Sequence, residues 1–99
     1  MRQEYDKIEG NLELSDELVF FGMCTGNVSI LSGGVLILHG MCTGNLSVMP
    51  GAILHLHGMV IGNVVNSGGT IEIYGMVNGN LLRNEGITII HPGAVLGKL

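Results

Sequence analysis

Apolar residues alternate with small or polar residues in short runs along most of the chain. A period of two places the apolar side chains on one side of an extended strand. Glycine-rich pairs separate the runs, as at Gly33-Gly34, Pro50-Gly51 and Gly68-Gly69, and such pairs favour tight turns. The pattern therefore predicts many short β-strands, each with one buried side, joined at glycine corners.

The hexapeptide Gly-Met-x-x-Gly-Asn divides the chain into copies of nearly equal length. It begins at Gly22, Gly40, Gly58 and Gly75, with spacings of 18, 18 and 17 residues. A degraded copy begins at Gly93, after another 18 residues. Short strands repeated at a fixed period predict a solenoid in which each coil stacks on the preceding one at about 4.8 Å.

These observations predict an all-β, single-domain parallel β-helix of about five coils, each 16–18 residues long. The β-helix covers residues 10–99, and residues 1–9 form a polar N-terminal segment that caps it. A left-handed hexapeptide helix needs an aliphatic residue every six positions, but glycine or alanine occupies several of those positions. Inward residues in pairs two positions apart instead favour longer strands and a right-handed helix.

Superposing the copies predicts four apolar columns that form the core, because equivalent residues of stacked coils lie above one another. The columns are Leu12, Val28, Leu46, Val64, Leu81 and Leu99; Leu18, Leu36, Leu54, Ile71 and Ile89; Phe20, Leu38, Leu56, Ile73 and His91; and Cys24, Cys42, Val60, Val77 and Val95.

Composition narrows the class of protein further. Hydrophobic residues make up 46% of the chain, yet no run is long enough to span a bilayer, and the polar start does not resemble a secretory signal. We therefore expect a cytoplasmic protein without a transmembrane segment. Because the net charge is −4 and only four residues are Lys or Arg, we expect no nucleic-acid partner.

The runs Gly58 to Val64 and Gly75 to Leu81 share the pattern Gly-x-Val-x-Gly-Asn-Leu/Val. Followed by an alternating strand and a glycine corner, this pattern resembles the bactofilins, a family of bacterial polymer-forming cytoskeletal proteins. The resemblance covers roughly residues 10 to 99. It implies a right-handed parallel β-helix that assembles end to end into filaments without nucleotide and recruits partners through terminal tails.

Two outward columns carry the polar groups that are candidates for chemistry. One contains Phe21, His39, His57, Tyr74 and Pro92, and the other contains Val19, Ile37, His55, Glu72 and Ile90. Imidazole and carboxylate groups in one patch are ligands for Zn²⁺ or another divalent metal. The candidate metal ligands are His39, His55, His57 and Glu72. The alternative interpretation is a contact face, because His and Tyr combine an apolar body with a polar tip.

Three further columns suggest structural roles. Cys24 and Cys42 lie in a column continued by valine, so we interpret them as free thiols of the core rather than catalytic groups. Asparagines recur in each coil, where their amides can bond from coil to coil. For the methionines that follow the first motif glycine, two interpretations stay open: an exposed contact surface, or side chains folded against the next face.

Charge is absent from Leu18 to Ile71, so the surface there consists of small, polar and apolar side chains. The outward apolar residues of the middle strand are Val19, Phe21, Val35, Ile37 and Ile53. Such a patch favours self-association. We therefore expect a non-enzymatic, cofactor-free scaffold that forms homo-oligomers or filaments through this face and its open coil ends. The alternative is a small-ligand or metal-binding module that uses the His/Tyr/Glu patch.

Overall fold

A computed structural model describes residues 2–97, in which every regular element is a β-strand. In chain order the strands are β1 (Arg2–Glu4), β2 (Leu12–Leu14), β3 (Glu17–Phe20), β4 (Met23–Cys24), β5 (Val28–Ile30), β6 (Val35–Leu38), β7 (Met41–Cys42), β8 (Leu46–Val48), β9 (Ile53–Leu56), β10 (Met59–Val60), β11 (Val64–Ile73), β12 (Met76–Val77), β13 (Leu81–Ile90) and β14 (Val95–Leu96).

The strands form three faces of a parallel β-solenoid with about five turns. Strands β2, β5 and β8 form the first face, β1, β3, β6 and β9 form the second, and β4, β7, β10, β12 and β14 form the third. The ten-residue strands β11 and β13 run across the corner between the first two faces and join them into one nine-stranded sheet. The predicted parallel β-helix is confirmed, and its right-handed sense stays a prediction.

The core is a stack of inward columns, as the alternation predicts. From Val28 to Val77, every residue of the four predicted columns is buried. A fifth column of Leu14, Ile30 and Val48 joins them. Parallel pairing in strict register explains this arrangement: Leu18 pairs with Leu36, and Leu36 with Leu54. The core therefore depends on translation along the solenoid axis, which brings like side chains into contact in every coil.

The prediction for the last coil is wrong by one residue in three columns. Ile71, Ile73 and Val77 are covered by Thr88, Ile90 and Leu96, whereas we expected Ile89, His91 and Val95. Ile89 is 44% exposed and Val95 is 50% exposed. The cause is a change of coil length, because residue pairs on the second face are 17 apart and pairs on the third face are 19 apart.

Two extra residues in the corner from His91 to Ala94 account for that change. The corner closes through an N–H of Ala94 that donates to the carbonyl of His91 at 3.1 Å, with Gly93 at a φ of 94°. Three residues, Met1, Lys98 and Leu99, lie outside the described residues. They include the outer limits of the two predicted segments and the last residue of one predicted core column.

The N-terminal segment adds a partial coil in front of the first complete one. Strand β1 pairs with β3, so that Glu4 lies in register with Phe20, and Ile8 forms an isolated bridge to Cys24. Ile8 packs against the core, whereas Gln3, Tyr5 and Asp6 are exposed. A charged residue at an inward position blunts the edge of a sheet against further pairing.

Glycine is required at the Gly-Met corner because successive coils approach very closely there. A Cβ added at Gly40, Gly58 or Gly75 would overlap the carbonyl oxygen of the equivalent glycine in the preceding coil. That carbonyl accepts the N–H of the methionine in the next coil, as between Gly40 and Met59 at 3.0 Å. The φ angles of these glycines are not positive, so the short distance between coils, rather than the backbone conformation, requires glycine at this position.

The asparagine column supports the next corner through side-chain to backbone hydrogen bonds. The backbone N–H of each asparagine donates to the Oδ1 of the asparagine one coil earlier, at distances of 2.8–3.0 Å. The column runs through Asn11, Asn27, Asn45, Asn63 and Asn80. The coil-to-coil bonding expected from the sequence is therefore present, with the backbone as donor.

Asn66 replaces an apolar residue at the one buried polar position among residues 3–97. Its Oδ1 accepts the N–H groups of Gly68 and Gly69 at 3.1 and 2.9 Å. Its Nδ2 donates to the carbonyl of Ile87 and the hydroxyl of Thr88 at 3.0 and 3.1 Å. The corner after Asn66 is one residue shorter than that after Val48, and the Asn66 amide bonds to the backbone of the shortened turn.

Replacing Gly58 with alanine is expected to destabilise the protein by more than about 3 kcal/mol, because neither backbone can move away from the added methyl group. Gly10→Ala is the matched control: Gly10 has a φ of 85° with nothing within 4 Å of an added Cβ, so only about 1 kcal/mol is expected. Urea unfolding followed by circular dichroism compares the two variants, and equal midpoints would contradict the steric explanation.

Replacing Asn66 with valine, the residue type of Val48 in the same column, is expected to cost about 3 kcal/mol. The buried N–H groups of the corner and the Ile87 carbonyl would lose their partner. The exposed Asn84→Val variant should stay within about 0.5 kcal/mol of the parent in the same urea titration. An Asn66→Val protein as stable as the parent would show that the amide does not support the corner.

Candidate functional site

A column of six stacked rings runs along the outside of the solenoid, directly after the second-face strands. The rings belong to Tyr5, Phe21, His39, His57, Tyr74 and His91. Neighbouring centroids are 4.0–4.9 Å apart and neighbouring planes are within 15° of parallel. The spacing follows that of the strands, because every ring occupies the same position in its coil.

The sequence predicted four of these rings, and the structure adds one at each end. Tyr5 precedes Phe21 by 16 residues, the same interval that separates Gly10 from Gly26, so the spacing of the first coil could have revealed it. His91 takes the place predicted for Pro92, because the second-face spacing in the last coil is 17 residues.

Glu72 is a hydrogen-bonding centre beside the ring column. Its Oε1 accepts the hydroxyl of Tyr74 at 3.0 Å and lies 3.1 Å from Nε2 of His91. Its Oε2 lies 3.4 Å from Nδ1 of His55. The hydrogen bonds from His91 and Tyr74 lower the pKa of Glu72, and the carboxylate raises the pKa of the Tyr74 phenol.

The four candidate metal ligands separate into two pairs. His55 and Glu72 lie in register on β9 and β11, whereas His39 and His57 lie in the ring column with stacked imidazoles 4.8 Å apart. Parallel imidazoles at this separation do not converge on one point. Among residues 2–97, no group of three or more His, Cys, Asp or Glu side chains is arranged to hold a metal ion.

The methionine column lies on the other side of the glycine corner from the rings. Met23, Met41, Met59 and Met76 pair in register, and Val95 continues their column. Met23 is 38% exposed and the other three are half-buried. Four rings of the column (Tyr5, Phe21, His39 and His57), the corner glycines and the methionines together line an open groove of about 960 Å³. The methionines therefore face this groove. They are partly exposed, as a contact surface would be, and they are also partly covered, as side chains folded against the neighbouring face would be.

The residues predicted for self-association lie on two neighbouring surfaces. Val19, Val35, Ile37 and Ile53 are half-buried on the outward side of β3, β6 and β9. Phe21 is 40% exposed and belongs to the ring column. Ile87 and Ile89 extend the outward second face onto β13, beyond Thr70 and Glu72. We call the surface formed by Val19, Val35, Ile37 and Ile53 the apolar face; His55, Thr70 and Glu72 separate it from Ile87 and Ile89.

The last coil is far more exposed than the coil beneath it. In β11 the inward residues Val64, Asn66, Ile71 and Ile73 are all buried, whereas no residue of β13 is. Leu82, Ile87, Ile89 and Ile90 are 44%, 59%, 44% and 40% exposed. Ile90 lies above Ile73 in an inward column, so the exposed surface includes the end of the core itself. The sequence indicated this surface only through the expectation of open coil ends.

The two cysteines are free and buried, and they pair in register on β4 and β7. Burial raises the pKa of the Cys42 thiol to about 11. Both thiols lie 3.7–3.9 Å from backbone carbonyl oxygens of the glycine corners. The Cys42 thiol therefore stays protonated at neutral pH, and burial of both side chains suits a role in packing.

The fold places the protein in the class of parallel β-solenoids, with an apolar face, a ring-lined groove and an exposed last coil. A scan of protein-family models and searches of curated proteins and of solved structures find no match to this chain. Residues 2–97 contain no helix with the length and apolar character needed to cross a membrane.

The ring column should make stability fall in mild acid. Burial, and then the neighbouring His39 and His55, lower the pKa of His57 below its ordinary value of 6.5. The unfolded chain therefore binds a proton more readily than the folded chain, and stability is lost as the pH falls from about 6.5 through the lowered pKa. Glu72, whose pKa is lowered from 4.5, contributes a second loss at more acidic pH.

Thermal melts followed by circular dichroism between pH 7.5 and pH 5 test this dependence. His57→Phe retains a ring in the column, as Phe21 does, and removes the titrating group. We expect a smaller drop in melting temperature across this range for the variant than for the parent. Superimposable pH profiles for the two proteins would show that His57 does not contribute.

Proposed function

We propose that the protein is a non-enzymatic scaffold that associates with copies of itself through the last coil and the apolar face. The exposure of β13 is the observation that carries this proposal. The inward residues of the preceding coil are fully buried, but Ile90 and its neighbours leave the end of the same columns in contact with water. Burial of this surface against a second copy would contribute about 25 cal/mol per Å² of apolar area.

The two ends of the solenoid differ in the charge of their inward residues, so we expect one end to be the preferred contact between copies. At the N-terminal end, β1 brings Glu4 over Phe20, and charged residues concentrate in the first 17 positions. At the other end, Thr88 and Ile90 occupy the inward second-face positions of β13, and its charged residues Arg83 and Glu85 lie near the preceding corner, with Arg83 in register with Asn66. Among the described residues, β13 pairs with β11 alone, so its other edge is unpaired strand backbone. Exposed strand edges pair with other edges, and charged edges resist pairing. The last coil, whose inward second-face positions are uncharged, is therefore the stronger candidate for contact between copies.

The apolar face supplies a second contact, parallel to the solenoid axis. Val19, Val35, Ile37 and Ile53 repeat along it without an intervening charged residue, because charge is absent from Leu18 to Ile71. A contiguous apolar surface of this kind is typical of interaction sites. Contacts at the last coil and along this face together would produce oligomers or filaments.

This proposal agrees with the resemblance of the Gly58 and Gly75 repeats to bactofilins, and it includes a bactofilin-like cytoskeletal role in the cytoplasm. The support consists of the parallel β-solenoid, the repeat motif and the exposed last coil. The proposal requires no cofactor, because stacking and burial of apolar surface supply the association energy.

Light scattering after size-exclusion chromatography, together with electron microscopy, tests the proposal. We expect assemblies whose size rises with concentration, and a protein that is monomeric throughout would refute it. Ile90→Glu should reduce the size by placing a charge in the end contact. Ile37→Glu with Ile53→Glu should reduce the size by disrupting the lateral contact.

A matched control carries the same charges on another face. Ser29 and Ser47 point outward on the first face, in register with the natural Glu13. Ser29→Glu with Ser47→Glu should therefore leave the assembly size unchanged. Equal effects of the control and the isoleucine variants would show that added charge, rather than loss of a specific surface, disperses the assemblies.

A further inference from the structure

The groove between the ring column and the methionine column is long, shallow and open to solvent. Its volume is about 960 Å³, at the upper end of the range of about 300–1,000 Å³ typical of small-molecule sites. Its floor is the glycine column of Gly22, Gly40, Gly58 and Gly75, which lacks side chains that would interrupt it. The groove therefore follows the axis through every coil, from Tyr5 to Val95.

The first wall presents the edges of aromatic rings. The rings of Tyr5, Phe21, His39 and His57 line the groove, and they stack along the solenoid axis with nearly parallel planes, so that their rims point sideways. A ring edge carries a positive partial charge and attracts the negative face of a π-system. This wall consequently favours a conjugated ligand over a saturated one.

The second wall presents thioethers. Met41 and Met59 lie side by side in the middle of the groove, with Met23 and Met76 in the flanking coils. Sulfur interacts favourably with aromatic and other π-systems, and the flexible methionine side chain adapts to a flat surface. Both walls thus select the same ligand chemistry by different interactions.

Charge marks one end of the groove. Lys7 is the one charged side chain among the described residues that line it, and it lies near Tyr5 at the N-terminal end. Its Nζ is 3.5 Å from Oε1 of Glu9, and its ammonium group has three donors, so a second anion can bind there as well. The opposite end is lined by Gly93 and Val95, which are uncharged.

We propose that this groove binds an elongated conjugated carboxylate, such as a polyene acid, parallel to the solenoid axis. The conjugated chain contacts ring edges on one side and methionine sulfur on the other, and the carboxylate contacts Lys7. This binding is separate from the lateral contact proposed for self-association, because Ile37 and Ile53 do not line the groove; the end of the groove at Gly93 and Val95 belongs to the last coil.

A fluorescence titration with trans-parinaric acid, a conjugated fatty acid, tests the proposal at concentrations at which the probe is monomeric. We expect saturable binding that stearic acid, the saturated counterpart of equal length, displaces only weakly. If stearic acid displaces trans-parinaric acid as effectively as a non-fluorescent conjugated acid of equal length does, the proposal is overturned, because the groove would then recognise apolar chains in general. Absence of saturable binding would overturn it as well.

Two variants locate the binding. Met41→Leu with Met59→Leu retains apolar bulk and removes sulfur, and it should weaken the conjugated ligand about tenfold. Lys7→Gln should weaken it about threefold, with a smaller dependence on salt. Ile37→Leu with Ile53→Leu, outside the groove, is the matched control and should bind as the parent does. Unchanged affinity in the methionine variant, with a parent-like circular dichroism spectrum, would overturn the assignment.

Discussion

The close approach of successive coils at the Gly-Met corner is the constraint on which the rest of the structure depends. The carbonyl oxygen of each corner glycine occupies the space where the next glycine would carry a side chain, and it accepts the N–H of the following methionine. This contact fixes the coils at the spacing of hydrogen-bonded strands. Because the register is strict, whatever stands at one position of a coil lies against its equivalent in the next. Core columns, asparagine column, ring column and methionine column are all consequences of that one distance.

The same stacking places like residues of successive coils side by side, so that they form extended surfaces. One exposed isoleucine or one half-buried methionine is ordinary in a soluble protein. Repetition at every coil turns Ile37 and Ile53 into part of an apolar face, and Met41 and Met59 into part of a wall. The central coils carry no charged side chain between Leu18 and Ile71, so nothing interrupts either surface there. Beside the ring column, the polar groups of Tyr74, His55 and His91 all contact the carboxylate of Glu72.

Periodicity was sufficient to predict the architecture, and it failed where the coil length changes. The column from Cys24 through Cys42 to Val60 is buried as the alternation predicts, because strict translation preserves it. The last coil departs from the prediction since Pro92 and Gly93 lie in a longer corner, and equal spacing between glycines concealed the shifts from Ile89 to Thr88 and from His91 to Ile90. The candidate metal ligands were correctly placed on outward columns, but ring stacking and the bonds of Glu72 depend on side-chain direction. Alternation along the chain predicts which side chains point outward, but it does not give the rotamers that bring the rings and Glu72 into contact.

The buried amide of Asn66 has a consequence for how the chain finds its correct alignment. Coils of nearly identical composition could stack with one coil displaced, since most columns offer the same aliphatic side chains in every layer. Asn66 bonds to the carbonyl of Ile87 and to the hydroxyl of Thr88, and that hydroxyl takes a place held by Leu18, Leu36, Leu54 and Ile71 in the other layers. A displaced stack would place the amide against leucine or isoleucine, leaving a buried donor unsatisfied. A single polar residue thereby distinguishes the native layer order from its near copies, much as one buried asparagine sets the alignment of a coiled coil.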